Sequence, residues 1–234
     1  MSTFCTKCGW QSWAQAAGLT HSECASLDAI LVHSRRVHKG AHLHRCGARL
    51  ESIAMVHSGF FKNTVSQEDG IEQVVSFSLA QDWVGLEAIA SGRHRCTSVA
   101  LEDSSVCCAP YASLMELCDR IPKLQHHFHR VMAAEMKSAA GLMLLLGNVS
   151  AQARVAKFLL RMSARLAERG YSARKLRLPM SRRDLGSYLG LRLETISRTF
   201  GALCEEELIA VEGREVLFKS VEGLVRKAER FAVA

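Results

Sequence analysis

Nine cysteines in 234 residues are the most chemically reactive feature of this sequence, and Cys5 and Cys8 form a Cys-x-x-Cys pair. Thiolates bind soft metal ions and iron–sulfur clusters, and closely spaced pairs also occur in redox enzymes. A thioredoxin-like enzyme requires a strand before the pair, and the four residues that precede Cys5 are too few to form one. We therefore expect metal binding or redox sensing, with a structural zinc site as an alternative, and no catalysis.

The composition is that of an ordinary globular protein, with 48% hydrophobic and 23% charged residues. It excludes collagen-like, disordered and membrane-spanning classes, and the length suffices for one or two domains. The first five residues lack the features of a signal peptide, and the longest strongly apolar stretch, Leu142–Leu146, is too short to span a bilayer. We therefore expect a cytoplasmic chain without structural disulfides.

Charge divides the chain into a neutral part and a basic part. Residues 154–234 contain 17 Lys and Arg against 10 Asp and Glu, whereas residues 1–153 contain 13 of each. The excess is concentrated between Arg154 and Phe200, where 12 residues are basic and 3 are acidic. A neutral domain joined to an arginine-rich domain is typical of a sensor attached to a module that binds nucleic acid.

The elements that must position these residues change in type along the chain. After a cysteine-bearing arm at residues 1–19, a capping box at Thr20–Glu23 predicts a short helix. Short β-type runs broken by glycines follow, which predicts an antiparallel sandwich or barrel within a domain at residues 20–122. The clearest runs are Ile53–His57, Phe60–Val65 and Gln73–Phe77, with a hairpin turn signal at Glu68–Gly70.

A long helix is predicted next, in a dimerisation segment at residues 123–150. Five apolar residues spaced 4, 3, 4 and 3 apart form the seam of a coiled coil: Met132, Met136, Ala139, Met143 and Leu146. Leu142 and Leu145 form a second apolar stripe. We expect one stripe to pack on the β domain and the seam to pack on a partner helix, which predicts a homodimer; packing on its own domain alone is the alternative.

The basic part, residues 151–234, has the pattern of a winged helix-turn-helix. The capping box Ser181–Asp184 begins a helix that ends at Leu189, Gly190 begins a tight turn, and a second helix is predicted from about Leu193 to Cys204. A β-hairpin wing is predicted behind it. We expect four side chains to face inward: Leu185, Leu189, Ile196 and Phe200.

The second helix of such a motif enters the major groove with its N-terminal part. Glu194, Ser197 and Arg198 share one face of this helix and can reach base edges together. Arg198 can bind a guanine bidentately, Glu194 can accept from a cytosine amino group, and Ser197 can contact a thymine or a phosphate. A surface salt bridge between Glu194 and Arg198 is the alternative.

The segment Tyr188–Arg198, YLGLRLETISR, resembles the recognition motif of the CRP/FNR family of bacterial transcription regulators. Phe77–Gly85 and Leu178–Gly190 are similar to the FNR branch in particular. The resemblance implies an α+β fold: an antiparallel β-roll of the cyclic-nucleotide-binding type, a long dimerisation helix and a C-terminal winged helix-turn-helix. It also implies a transcription regulator that binds double-stranded DNA as a homodimer.

The resemblance also implies a DNA sequence. Leu193 stands where the CRP branch has an arginine, so the implied half-site is the TTGAT-like one of the FNR branch. Arg192 replaces a common capping threonine, and we expect it to contact a phosphate. Arg182 and Arg183 complete the predicted DNA contacts.

FNR-type proteins sense oxygen through a 4Fe–4S cluster, and the resemblance implies the same here. Cys5 and Cys8 match the first two family ligands and Cys107 matches the distant one, but Ala14 stands at the third. Cys24 is the nearest substitute, and it is equally well interpreted as a buried apolar residue. Other candidate fourth ligands are His21, Cys108 and solvent. We expect the remaining cysteines to be packing residues: Cys46, Cys96, Cys118 and Cys204.

Three further features of the sequence bear on regulation. The FNR branch often has an acidic residue at the position of Ala139, so we expect this dimer to depend less on its cluster. The segment Ala80–Glu87 corresponds to a region that contacts RNA polymerase in relatives, which implies an activator. A regulator controlled by cyclic nucleotide, thiols or haem is the alternative, although Leu86 replaces the ribose-binding acid and only Arg95 matches the nucleotide site.

Overall fold

The computed structural model describes residues 9–66, 70, 72–147 and 149–229. The chain divides into two compact units, Met1–Met136 and Lys137–Ala234. Cys5 and Cys8 lie outside the described residues, as do the first two residues of the predicted hairpin turn. Among the helices that are described, none is both long and apolar enough to cross a membrane.

The described part of the N-terminal unit contains two antiparallel four-stranded sheets. The strand order is β1-β8-β3-β6 in one sheet and β2-β7-β4-β5 in the other. The strands are β1 (Val32–Val37), β2 (His42–His44), β3 (Ser52–Ser58), β4 (Phe60–Ser66), β5 (Glu72–Leu79), β6 (Trp83–Val84), β7 (Thr97–Ala100) and β8 (Ser104–Pro110). The predicted antiparallel β domain and its three clearest strands are confirmed.

Four helices accompany these sheets: α1 (Gly9–Ala16), α2 (His21–Ile30), α3 (Tyr111–Arg120) and α4 (Pro122–Leu146). The predicted capping box begins α2, where the Thr20 backbone N–H donates to Glu23 Oε2 at 2.6 Å. The same carboxylate lies 2.6 Å from Lys123 Nζ in the first turn of α4, and this ammonium together with the Thr20 N–H lowers the pKa of Glu23 to about 2. One carboxylate therefore joins the start of α2 to the start of α4.

An apolar cluster packs these helices against the sheet. Trp10 and Ala14 of α1 are fully buried, and the Trp10 indole N–H donates to the backbone oxygen of Cys107 at 3.1 Å. The cluster also includes residues of α2, α3 and the first half of α4, among them Leu27, Leu114, Leu124 and Phe128. Helix α1 was not predicted from the sequence, and burial of its tryptophans holds it on the β domain.

The first half of α4 packs on the β domain. The side chains that α4 places in the core of the N-terminal unit are Leu124 and Phe128, with Met132 partly buried beside them. Leu142 and Leu145 lie in the part of α4 that belongs to the C-terminal unit, and their packing on the β domain stays a prediction.

The described part of the C-terminal unit contains the end of α4, four further helices and a three-stranded sheet with the order β10-β11-β9. Its elements are α5 (Ala151–Ala167), β9 (Lys175–Arg177), α6 (Arg182–Leu189), α7 (Leu193–Glu205), β10 (Ile209–Glu212), β11 (Glu215–Phe218) and α8 (Val221–Glu229). The predicted helix-turn-helix and its hairpin wing are confirmed. The third strand of the wing, β9, was not predicted.

Two glycines determine the turn between α6 and α7. Gly190 ends α6 with φ 62°, in the left-handed region that glycine adopts without a steric penalty. Gly186 lies under the returning chain, and the Leu191 N–H donates to its carbonyl at 2.9 Å. A Cβ at Gly186 would lie 2.6 Å from the Leu191 backbone oxygen, so the close approach of this turn requires glycine.

Replacement of Gly186 by Ala is expected to destabilise the C-terminal unit by about 1–3 kcal/mol, because the backbone of the turn must move. Gly201 is the matched control, since it lies inside α7 with no atom within 4 Å of an added Cβ. Gly201→Ala should stabilise the unit by about 0.5–1 kcal/mol through helix propensity. Differential scanning calorimetry of both variants measures the two shifts, and equal shifts would contradict this account of the turn.

Candidate nucleic-acid interface and cysteine sites

Burial divides α7 into an inner face and an outer face. The four residues predicted to face inward, Leu185, Leu189, Ile196 and Phe200, have exposed fractions of at most 4%. Glu194, Ser197 and Arg198 are all exposed on the other side of α7. The inner contacts therefore fix the helix in an orientation that presents these three side chains together.

The Glu194 and Arg198 side chains are available for an external ligand. Within the described part of the chain, the structure gives neither side chain a hydrogen bond or an ion pair. The intrahelical salt bridge considered from the sequence is thus not formed. An acceptor and a bidentate donor one turn apart match the edges of a cytosine and a guanine.

The N-terminus of α7 lacks a side-chain cap. Arg192 occupies the N-cap position in extended conformation and makes no capping hydrogen bond, as expected for an arginine at this position. The first N–H groups of α7 consequently remain free of a side-chain acceptor from the cap residue. Together with the exposed Arg192 guanidinium, they provide suitable donors for a phosphate.

The two arginines at the start of α6 have different surroundings. Arg183 is exposed, whereas the Arg182 guanidinium lies over the Phe200 ring, 3.3 Å from its centroid. Burial lowers the pKa of Arg182 from its ordinary value. This cation–π contact joins α6 to the core side of α7, so Arg182 has a packing role in addition to its charge.

Part of the positive charge is used inside the C-terminal unit. The Arg154 guanidinium donates to the backbone oxygens of Leu146, Gly147 and Leu189 at 3.0–3.1 Å. Arg161 donates to the Ser138 hydroxyl. Arg154 and Arg161 therefore hold α5 against α4 and against the end of α6. Because these two guanidinium groups are already bonded inside the unit, fewer positive charges are available to a ligand than the sequence count indicates.

Most of the predicted seam on α4 is exposed in the single chain. Met136 and Met143 are 73% and 74% exposed, Leu146 is 36% exposed, and Ala139 is also exposed. Met132 is partly buried against the core of the N-terminal unit. Long apolar side chains aligned along one helix face are a usual feature of protein–protein interfaces.

Cys107 and Cys24 belong to the same apolar region. Cys107, on β8, is 1% exposed within the cluster that includes α1. Cys24, on α2, is partly buried against that cluster, and burial raises the pKa of its thiol. Ala14, at the position of the third family cysteine, is fully buried among the same side chains. The other two predicted ligands, Cys5 and Cys8, lie outside the described residues.

The four cysteines predicted to be packing residues differ in exposure. Cys118 is 2% exposed and lies in the core of the N-terminal unit. Cys96 and Cys204 are half-buried. Cys46 is exposed, so its prediction as a packing residue is wrong; it follows the end of β2, where the chain leaves the sheet.

Sequence reasoning missed a group of titratable side chains in the β domain. His44 at the end of β2, Glu87 in a short 3₁₀ helix, and His94 before β7 place their donor atoms within 4.8 Å of one another. The two histidines line a cavity of about 250 Å³. Its other lining residues are Arg35, Leu43, Ala48, Arg49, Glu51, Ser52, Ala54, Val84 and Cys108.

This cavity lacks the residues that the cyclic-nucleotide alternative requires. Arg95, the match to the phosphate-binding arginine, is exposed and does not line the cavity. Leu86 is half-buried and offers no acceptor for a ribose hydroxyl. The pair of residues that would fix a cyclic nucleotide is therefore not assembled there.

Comparison with known proteins identifies both domains. A family model described as a cyclic nucleotide-binding domain matches residues 34–121, and one described as a Crp-like helix-turn-helix domain matches residues 153–227. Among solved structures, FixK2 from Bradyrhizobium japonicum is similar with a TM-score of 0.78 and 32% identity, over 86% of this chain and 98% of that chain.

The chain is also similar to curated regulators over nearly its whole length. It is 36% identical to the fumarate and nitrate reduction regulatory protein of Escherichia coli over 224 residues, which are 96% of this chain and 90% of that protein. The protein of the same name from Vibrio cholerae is 38% identical over 212 residues, 91% of this chain and 85% of that protein. The chain thus belongs to the CRP/FNR family and is a DNA-binding transcription regulator of the FNR type.

Proposed function

We propose that this regulator is a homodimer that senses oxygen or redox state through an iron–sulfur cluster and binds a palindromic TTGAT-like site in the cytoplasm, mainly as an activator. The observation that carries the proposal is the unpaired Glu194, Ser197 and Arg198 face of α7 in a chain of the FNR type. Specificity comes from this face. The salt-dependent part of the affinity comes from the surrounding arginines.

Base recognition by this face depends on Arg198 and Glu194 in complementary roles. Arg198 binds the guanine of TTGAT through its O6 and N7, and Glu194 accepts from the amino group of the cytosine that pairs with this guanine. Ser197 lies between them and contacts a thymine or a phosphate. Arg183 and Arg192, both exposed, hold the backbone phosphates, and the half-buried Arg182 adds charge while it holds Phe200 in place.

Replacement of Arg198 by Ala is expected to cost about 1–3 kcal/mol of specific binding and to relax the preference at one base pair. Fluorescence anisotropy with a TTGAT palindrome and its single-base variants measures both effects. Arg120→Ala is the control, because Arg120 is an exposed arginine in the other unit, and it should bind as the wild type does. An equal loss of affinity for every DNA sequence would show that Arg198 contacts only phosphate.

The exposed seam of α4 supports a dimer. Burial of Met136 and Met143 against a partner helix removes two long apolar side chains from water, and each contributes about 1.5–3 kcal/mol when fully buried. Ala139 lies between them in the seam and introduces no charge. Two opposed carboxylates at this position would repel, so their absence favours association without help from the cluster.

Protein prepared in air is expected to sediment as a dimer at micromolar concentration. Met143→Glu should give a monomer, because it places like charges in the seam, and Ala139→Asp should make the dimer dependent on anaerobic conditions. Leu144→Glu is the matched control, since Leu144 is 79% exposed but lies beside the seam, and it should remain dimeric. A wild-type monomer in air would refute the role given to Ala139.

The described cysteine surroundings fit a cluster-binding site. Cys107 lies beneath α1, and Cys24 packs against the same apolar cluster. Cys8 immediately precedes Gly9, where an added Cβ would collide with Met55 Sδ, and Met55 is the strand partner of Cys107. Cys5, Cys8, Cys24 and Cys107 are the ligands we propose. A bound 4Fe–4S cluster supplies an oxygen-labile group, and the apolar surroundings of Cys107 limit the access of water.

Protein purified without oxygen is expected to be brown, with iron and sulfide that are lost in air. Cys107→Ser and Cys24→Ser should each abolish or destabilise the chromophore, whereas Cys204→Ser, in the C-terminal unit, should leave it unchanged. The absorption spectrum with iron and sulfide analysis measures this. A colourless, iron-free wild type would exclude the cluster, and an unchanged Cys24→Ser variant would exclude Cys24 as a ligand.

A contact with RNA polymerase is proposed for the segment Ala80–Glu87. Gln81 in this segment is exposed and adopts φ 70°. Its backbone N–H donates to Val56 O at 2.7 Å, and the Asp82 carboxylate accepts from the Leu79 N–H at 2.8 Å. These bonds hold the turn between β5 and β6 in a fixed conformation, as a docking surface requires.

A further inference from the structure

Three side chains from separate segments of the β domain converge on one point. His94 Nδ1 lies 3.1 Å from Glu87 Oε1, and His44 Nε2 lies 3.8 Å from the same oxygen. The two imidazole rings are stacked, with centroids 3.7 Å apart and planes 10° from parallel. The His94 side chain is 4% exposed, that of His44 is 11% exposed and that of Glu87 is 30% exposed.

This arrangement leaves one potential metal-ligand atom without a hydrogen-bond partner. His44 Nε2 is buried, and within the described residues it makes no hydrogen bond. Its ring is stacked on His94 and lines the cavity of the β domain. A buried nitrogen lone pair without a partner costs free energy, and a neutral imidazole is the form that binds metal ions.

The spacing of the donors matches a transition-metal site. Zinc bonds to histidine and carboxylate are about 2.0–2.2 Å long, which places tetrahedral ligands roughly 3.4 Å apart. The observed separations of 3.1 and 3.8 Å bracket this value, and all three donors lie within 4.8 Å of one another. Because the two imidazole planes are nearly parallel, one ring must turn out of the stack before both nitrogens can point at one ion.

We propose that His44, Glu87 and His94 form a binding site for a divalent transition-metal ion, of which Zn²⁺ is the best match, with a water molecule as the fourth ligand. Two imidazoles and one carboxylate are a donor set that zinc accepts. The site lies beside the cavity of the β domain and uses none of the proposed cluster ligands. It is therefore independent of the iron–sulfur proposal.

The charges around the site bear on which ion it accepts. Glu87 supplies one negative charge, whereas Arg35 lines the same cavity and disfavours a cation at His44. Strong nitrogen donors offset this repulsion for Zn²⁺, because its bonds to imidazole are stronger than those of Mg²⁺ or Ca²⁺. We therefore expect selectivity for zinc-like ions over the hard divalent cations.

A bound ion would join three parts of the β domain. His44 ends β2, Glu87 belongs to the 3₁₀ helix Leu86–Ala88, and His94 precedes β7. The first two residues of this 3₁₀ helix, Leu86 and Glu87, are also the last two residues of the Ala80–Glu87 segment. Binding would consequently stabilise that segment and raise the thermal stability of the N-terminal unit.

The test uses the full chain with Cys5→Ser and Cys8→Ser, so that the N-terminal thiols do not compete for metal. The protein is stripped with a chelator, and Zn²⁺ is titrated in competition with a chromophoric chelator. One Zn²⁺ per chain is expected to bind and to raise the melting temperature. His44→Phe, which retains an aromatic ring to stack on His94, and Glu87→Gln should each weaken binding by about 100-fold or more.

Two matched controls make the ligand assignment falsifiable. His42→Phe changes the other histidine of β2, and Cys96→Ser removes the half-buried thiol two residues after His94; both should retain wild-type affinity. Far-ultraviolet circular dichroism of each variant without metal establishes that it is folded. Equal Zn²⁺ affinity in the wild type, His44→Phe and Glu87→Gln would overturn the site, as would loss of binding in Cys96→Ser alone.

Discussion

The burial of α1 against the strand that carries Cys107 is the interaction on which the N-terminal unit depends. Trp10 is fully buried and bonded to the Cys107 backbone, and the same cluster contains Leu124 and Phe128 of α4. Since protein interiors are close-packed, a change of volume or charge beside Cys107 must be accommodated by these neighbours. The predicted sensor residue and the first half of the predicted dimer helix are thus parts of one core.

In the C-terminal unit, different residues account for the overall affinity for DNA and for the choice of DNA sequence. Its basic residues form a field that favours any polyanion, but Arg154 is bonded to backbone carbonyls and Arg182 is stacked on a ring. Arg154 and Arg182 therefore stabilise the packing around α7 and add little to the surface that faces DNA. In our proposal selection is left to the exposed Glu194 and Arg198, which lie on α7 opposite the buried Ile196 and Phe200.

The helix-turn-helix was predictable because its signals are local. The capping residues Ser181 and Asp184 and the turn at Gly190 lie within about ten residues of one another, and both are observed as predicted. Helix α1 was missed because its eight residues are too few for a repeating pattern, although Trp10, Trp13 and Ala14 have the spacing of one buried helix face. The site at His44, Glu87 and His94 was missed because strand pairing brings together residues far apart in sequence. The repeated tripeptide His-Arg-Cys, at His44 and at His94, was its only available signal.

The polar cavity of the β domain bears on how a regulator of this type can come to bind a different ligand. Arg95 is absent from the described cavity wall, yet His94 is buried and His44 is half-buried there at a cost in desolvation. Polar groups retained inside a fold require partners, from the chain or from a ligand. The residues that line this cavity belong to the N-terminal unit, and the buried residues that orient α7 belong to the C-terminal unit. The β domain can therefore acquire a new ligand while the DNA sequence that the protein recognises stays the same.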